Sequence, residues 1–385
     1  SVITAQRFGA GDYEGVKRSV ATSALLSLAA TVLLTAAGIL TARPLLEVMN
    51  TLADIIEDSY AYIIVIYYGV AATAFYNLLS CIIRALGDSK TPLIFLVFAS
   101  FLNVALDLLF IITFHMGVGG AAWATVLSQG VSGLLCLGYA WRRFPLLRME
   151  KRHWTFDWSY AWKHLRLALP MAMQFVITVT SVIVNQAVLN LFRSAAVAAF
   201  SAASKIHMLS EQVAVSFGTA MATYAGQNYG AGKAGRVREG LRKCALACEA
   251  ITLGIMVIMT AFGGVMSSWF IDGYHPEVIQ QAHLYLFISA LFYPALTMLF
   301  LYRNTLLGLG NGVTPMLAGV CELLSRMIGA PVLGHFFGFT GLCWINPIAW
   351  VTASGLLFLS YRKTMRNIRP VDPTVDASDP NKIMN

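Results

Sequence analysis

Charge is what this sequence has little of. Asp, Glu, Lys and Arg make up 12% of its 385 residues, against about 25% in ordinary soluble domains. Hydrophobic residues make up 57%, and the mean hydropathy is +0.67. Such a chain cannot solvate itself as a globule, so the bilayer is its solvent. Catalytic and metal signatures are missing as well. No CxxC pair occurs, and the six cysteines lie in or beside apolar runs, where they read as small hydrophobes. His115, His153, His164, His207, His275, His283 and His335 are scattered, with no HExxH or GxSxG. A membrane-embedded enzyme needs a convergent polar constellation, and it is the weakest reading. The net charge of +8 suggests nucleic acid only until its distribution is seen: the cations sit in short loops between apolar runs, as in membrane proteins.

What is present is length and repetition. A membrane-spanning helix needs about 20 mostly apolar residues. Ten segments qualify: 19–42, 59–83, 91–113, 117–141, 167–192, 196–226, 244–271, 278–302, 313–334 and 338–361. The last two are separated only by the stretch from Gly334 to Gly341. Lys and Arg concentrate on one side: Arg7, Lys17, Arg18, Arg84, Lys90, the run from Arg142 to Arg166, Lys233 to Lys243, and Arg362 to Arg369. The opposite loops hold Arg43 and Arg193 against Glu47, Asp54, Glu57, Asp58, Asp272 and Glu277. The positive-inside rule places the first set, and the C-terminus, in the cytoplasm.

The chain also repeats itself. Gln6, Gly9-Ala10-Gly11 and Val16 recur as Gln227, Gly230-Ala231-Gly232 and Val237, offset by 221. Leu86-Gly87-Asp88 with Thr91-Pro92 recurs as Leu309-Gly310-Asn311 with Thr314-Pro315, offset by 223, and Gly120 and Trp123 recur as Gly341 and Trp344, offset by 221. Six expected helices separate the matched loops. An even number leaves both halves in the same orientation, a construction common in secondary transporters. The expected layout is all-α and integral to the membrane, with two pseudo-symmetric lobes. Residues 1–143 form the first, 144–166 a cytoplasmic linker, 167–366 a six-helix second lobe and 367–385 a polar tail. The second copy has two helices before its Gly230 loop where the first has only eight residues. The first lobe is therefore expected to lack two of its six helices in this sequence.

Intramembrane charge marks a functional site by default. Asp107 is the only charge in segment 91–113, six residues from its outer end, or about 9 Å deep at 1.5 Å per residue. Asn103 is one turn away on the same face. Thr125 and Tyr62 fall at similar depth on neighbouring segments. This oxygen set suits a hard cation such as Na⁺, and a desolvated carboxylate could carry H⁺ instead. An Asp satisfied by hydrogen bonds alone is the competing reading. Glu322 and Arg326, i and i+4, read as a structural pair. Lys205 and Glu211 share a segment but are six apart. Arg84 and Arg303 lie near cytoplasmic helix ends, where they can snorkel. Pro294 marks a bend.

The ordered motifs resemble the multidrug and toxic compound extrusion (MATE) family, in its bacterial DNA-damage-inducible-F-like branch. They run Ala5 to Glu14, Tyr76 to Ser80 with Arg84 to Pro92, Asn103 to Asp107, Gly117 to Thr125, Gly218 to Ala220 and Gly226 to Gly232. The resemblance implies a cation-coupled antiporter, using Na⁺ or H⁺ and no cofactor. It would export cationic or amphipathic drugs by alternating access, as a monomer in the bacterial cytoplasmic membrane. It assigns Tyr62, Asn103, Asp107 and Thr125 to the cation, together with an Asp on the family's first helix, which lies outside this sequence along with most of the second helix. It makes Asn77 and Ser100 cavity-lining, with Gln174 and Gln212 as candidates in the second half; interhelical hydrogen bonding is an equal alternative for Asn77 and Ser100. A flippase for lipid-linked oligosaccharides, from the same wider superfamily, would need several cavity cations for pyrophosphate. Only Lys205, Arg303 and Arg326 could serve.

Overall fold

The computed structural model describes residues 1–368 apart from residues 50, 51, 53, 193, 272 and 274. Arg193, Asp272 and the tail from Arg369, with Pro370, Pro373 and Pro380, lie outside the described residues. Among those described, the regular structure is helical throughout, with no strand. The α-helices are α1 (Val2–Gly9), α2 (Tyr13–Val48), α3 (Ile56–Ala85), α4 (Lys90–Leu108), α5 (Gly117–Arg143), α6 (Trp158–Leu189), α7 (Ser194–Gly230), α8 (Ala234–Ser268), α9 (Pro276–Leu291), α10 (Tyr293–Gly308) and α11 (Val313–Asn367).

The helix ends explain the repeat in physical terms. Four helices stop at a glycine with left-handed backbone: Gly11 (φ 72°), Gly87 (φ 99°), Gly232 (φ 69°) and Gly310 (φ 88°). In each, the next residue's N–H reaches back to a carbonyl five residues earlier. Asp12 bonds Arg7, Asp88 bonds Ile83, Lys233 bonds Asn228 and Asn311 bonds Leu306, at 3.0, 3.2, 2.8 and 2.9 Å. This is the Schellman stop, which favours glycine because a Cβ would be strained there. The restart is repeated as well. Asp88 Oδ1 accepts the Thr91 N–H at 3.1 Å, and Asn311 Oδ1 accepts the Thr314 N–H at 3.1 Å. Burial alone would raise the Asp88 carboxyl, but hydrogen bonds from Tyr139 and Thr91 outweigh it and hold it below its ordinary value.

By packing, the chain divides into two compact units, Ile3–His164 and Leu165 onward. The expected linker 144–166 is not a free connection. Within the first unit, Tyr160 OH donates to the Gly15 carbonyl at 3.2 Å, and His153 Nε2 lies 2.8 Å from Glu14 Oε2. Glu14 is held down to about 2 by its hydrogen bonds from Lys17 and His153.

Small residues let the helices approach closely, as in membrane packing generally. In the first unit Gly69 on α3 faces Val126 of α5, and Gly133 of α5 faces Phe75 of α3. In the second unit a Cβ on Gly308 of α10 would lie 2.5 Å from the Ala222 carbonyl oxygen and 2.8 Å from the Ala225 Cβ, both on α7. Gly308→Val is therefore expected to cost about 1–3 kcal/mol by overpacking. Thermal unfolding of the purified variant checks this, and an unchanged midpoint would show that the crossing can open freely.

The helices turn apolar side chains outward. Only 6% of the most apolar window is buried in α2 and in the span Lys90–Thr113, and 11% in α6. Apolar surface on this scale suits hydrocarbon. Among the described residues seven helices are long and apolar enough to cross a membrane. The number rises to eight if α9 and α10, bent by 52° around Phe292, count as one span. The ten expected segments fall on helix, but two features lower the count. α7 is diluted by Lys205, Glu211 and many small and polar residues, and α11 continues past Gly338, whose φ of 59° and ψ of −142° break it internally. Gly338 matches Gly117 (φ 58°), which opens α5.

Candidate functional site

In the first unit α4 ends at Leu108 and passes into a π turn, Leu109–Thr113, before α5 starts. Wider π geometry within a helical run recurs at functional sites. It begins two residues after Asp107 and was not legible in the sequence. Across the α4–α5 contact, Asn103 Nδ2 donates to Thr125 Oγ1 at 3.4 Å, and Thr125 Oγ1 donates to the Ala121 carbonyl at 3.1 Å. Asp107 lies one turn along from Asn103, half-buried. Its Oδ1 is buried and has no hydrogen-bond partner among the described residues.

A buried carboxylate oxygen left without a donor is costly, and native structures supply it with water or an ion. One turn away on α4 is the Asn103 amide, hydrogen-bonded to the Thr125 hydroxyl. No group of three or more His, Cys, Asp or Glu residues suited to a metal occurs among the described residues. One carboxylate with neutral oxygen donors matches the charge of a monovalent cation or a proton better than that of a divalent ion, which gathers several carboxylates.

The other expected residues are placed less closely. Tyr62 on α3 is 36% exposed and makes no hydrogen bond to Asn103, Asp107 or Thr125. Asn77 is exposed on α3. Ser100 is exposed on α4 and spends its hydroxyl on the Leu96 carbonyl at 2.9 Å. Gln212 is exposed on α7. Gln174 is buried on α6, packed against Gly319 of α11.

The second unit holds a polar network that sequence reasoning largely missed. Arg303 on α10 was expected to snorkel at a helix end. It is instead 7% exposed and paired through Nη2 with Glu322 Oε1 on α11. The partner lies on another helix, so no local spacing announces it. Glu322 Oε2 also lies 3.5 Å from Arg326 Nη2, its expected i+4 partner. Arg326 donates further, through Nε to Asn346 Oδ1 at 3.0 Å and through Nη1 to Ser181 Oγ at 2.8 Å. Asn346 Nδ2 donates to Tyr285 OH at 3.1 Å. His207 sits between Tyr293, 2.8 Å from its Nδ1, and the stacked ring of Trp350, with Glu211 Oε2 3.9 Å from Nε2. Lys205 Nζ lies 5.3 Å from the Phe270 ring centre. Applying the repeat offsets to Tyr62 and Thr125 would have pointed to Tyr285 and Asn346.

Comparison with known proteins agrees with this architecture. The MatE family model matches residues 1–109 and 170–332. The probable multidrug resistance protein YpnP of Bacillus subtilis is 30% identical over 362 residues, covering 93% of this chain and 78% of its own length. The FAD transporter of Shewanella oneidensis is 22% identical over 349 residues, covering 88% and 76%. A crystal structure of a MATE protein in the bent conformation matches with a TM-score of 0.89 at 22% identity, over 95% of this chain and 82% of that one; this likeness speaks for the fold alone. With its apolar helices, the chain is a multi-pass membrane protein, and it belongs to the MatE family of multidrug and toxic compound extrusion transporters.

Proposed function

We propose that the protein exports cationic or amphipathic toxic compounds in exchange for Na⁺ or H⁺. The single observation that carries this is Asp107: one intramembrane carboxylate with a buried, unpartnered oxygen, beside a hydrogen-bonded Asn103–Thr125 pair. Multidrug resistance, given as probable, is the role named for YpnP of Bacillus subtilis. Ten membrane crossings follow if α9 and α10 count as one span, α11 divides at Gly338 and α7 is counted as a span. The basic loops and the C-terminus then face the cytoplasm of a bacterial inner membrane, and the protein works as a monomer without a resident cofactor.

In this reading an external cation binds at Asp107 and the outer part of the first unit repacks. Affinity for the exported compound falls, and the compound leaves outward. The cation need only prefer one conformation, since a ligand shifts an equilibrium by its differential affinity. Tyr62 would complete the cation site in one of these conformations. Asn77, Ser100, Gln174 and Gln212 are the proposed contacts for the exported compound. Of these, Gln174 would have to leave its packing on Gly319. An oligosaccharide flippase is less well supported, because Arg303 and Arg326 are engaged with Glu322 and Lys205 lies over an aromatic ring.

Dye efflux from vesicles, driven in turn by a Na⁺ and a pH gradient, tests the proposal. Efflux that follows one of the two gradients is the expected result. Efflux that ignores both would overturn cation coupling.

A further inference from the structure

The second unit carries the first unit's cation scaffold with a different occupant. The repeat offsets of 223 and 221 place Tyr285, Arg326, Ala330 and Asn346 at the positions of Tyr62, Asn103, Asp107 and Thr125. Contacts support this register: Arg326 bonds Asn346 across the two halves of α11, as Asn103 bonds Thr125 across α4 and α5. Asn346 extends the chain to the Tyr285 hydroxyl. The exchangeable-looking carboxylate is replaced by Ala330, which is 0% exposed. A fixed carboxylate arrives from elsewhere: Glu322 stands where the first unit has Ala99.

We infer that Arg326 is a tethered cation, a covalently held counterpart of the ion that the first unit binds and releases. Its guanidinium takes up oxygen atoms of the kinds an ion site offers: the Asn346 amide, the Ser181 hydroxyl and the Glu322 carboxylate, at 3.0, 2.8 and 3.5 Å. A guanidinium does not lose its proton in a protein, so this site stays loaded through every turn of the cycle. The second unit is then held in one packing, and the exchange of cations and the repacking it drives are confined to the first. The inference rests on the Asp107 reading for its contrast between units, but not for the Arg326 site itself.

Two measurements test it. In the wild-type protein, hydrogen exchange is compared with and without the coupling cation. Removal is expected to speed exchange in α4 and α5 about tenfold or more and to leave α11 between residues 313 and 361 unchanged. Equal acceleration in α11 would overturn the inference, whereas no change in α4 and α5 would count against the Asp107 site. Independently, Arg326→Ala is unfolded thermally with and without guanidinium chloride at low millimolar concentration. Guanidinium is expected to raise the midpoint of Arg326→Ala but not of wild type, and the gain is expected to vanish when Glu322→Gln is added. An equal response of Arg326→Ala and wild type would overturn the tethered-cation site whatever the fate of Asp107. If Arg326→Ala does not fold, Arg326→Lys, which keeps a charge at the site, is expected to fold and to lose hydrogen-exchange protection in α11. Retained protection would overturn the inference, since an ammonium cannot hold all three oxygen partners in the guanidinium geometry.

Discussion

Asp107→Asn is expected to uncouple transport while leaving the protein folded. Asn keeps the shape of the side chain and does not touch the Asn103–Thr125 bond between α4 and α5. It removes the only charge in the span that could attract a cation. One charge moving inward across 100 mV supplies about 2.3 kcal/mol. The electrical share of the driving force alone therefore corresponds to about a fifty-fold drop in the steady-state gradient of exported compound. The check is dye accumulation in cells or vesicles at matched protein levels. Asp107→Glu, which retains the charge but shifts the carboxylate outward by one methylene, is expected to fall between wild type and Asp107→Asn. Equal pumping by all three would remove Asp107 from the coupling mechanism.

The largest stability effect is expected at Glu322. Its side chain is 10% exposed and serves two guanidinium groups, the buried Arg303 and the partly buried Arg326. Glu322→Gln removes the direct ion pair of each. Breaking a buried pair from one side costs about 3–5 kcal/mol, because a buried charge is left uncompensated. In a unit of this size the midpoint should fall by about 6–20 °C. Arg303→Met is the informative control. It leaves Glu322 with Arg326, so charge stays balanced, and Met fills much of the vacated volume. The loss in Arg303→Met is expected to be clearly smaller than in Glu322→Gln. Equal losses would mean that packing, not charge balance, dominates the cluster.

The parts of the fold that could be read from sequence are those governed by local rules. Gly11, Gly87, Gly232 and Gly310 end helices because each takes a left-handed conformation that few other residues tolerate, and that requirement is written in the residue itself. The outward apolar faces were legible because the chain carries too little charge to hide them. The Asn103–Thr125 contact was foreseeable from helical depth, since equal distances from the outer helix ends bring two residues level. What could not be read depends on partners remote in the chain. Arg303 looked free to snorkel because Glu322, 19 residues away on another helix, gives no local signal. The π turn at Leu109–Thr113 follows no residue pattern, and the burial of Gln174 depends on Gly319 of α11. The Tyr285–Asn346–Arg326 chain was readable in principle, but only by carrying the whole repeat register into the second unit.

The most direct test of cation coupling at Asp107 is to run the exchange backwards. Purified protein in liposomes, with no ion gradient imposed, is given an outward gradient of a transported dye, and the movement of Na⁺ or H⁺ across the membrane is recorded. Wild type is expected to move one of these cations in the direction opposite to the dye, and Asp107→Asn is expected to move neither. Cation movement of wild-type size in Asp107→Asn would contradict the assignment of coupling to the first unit.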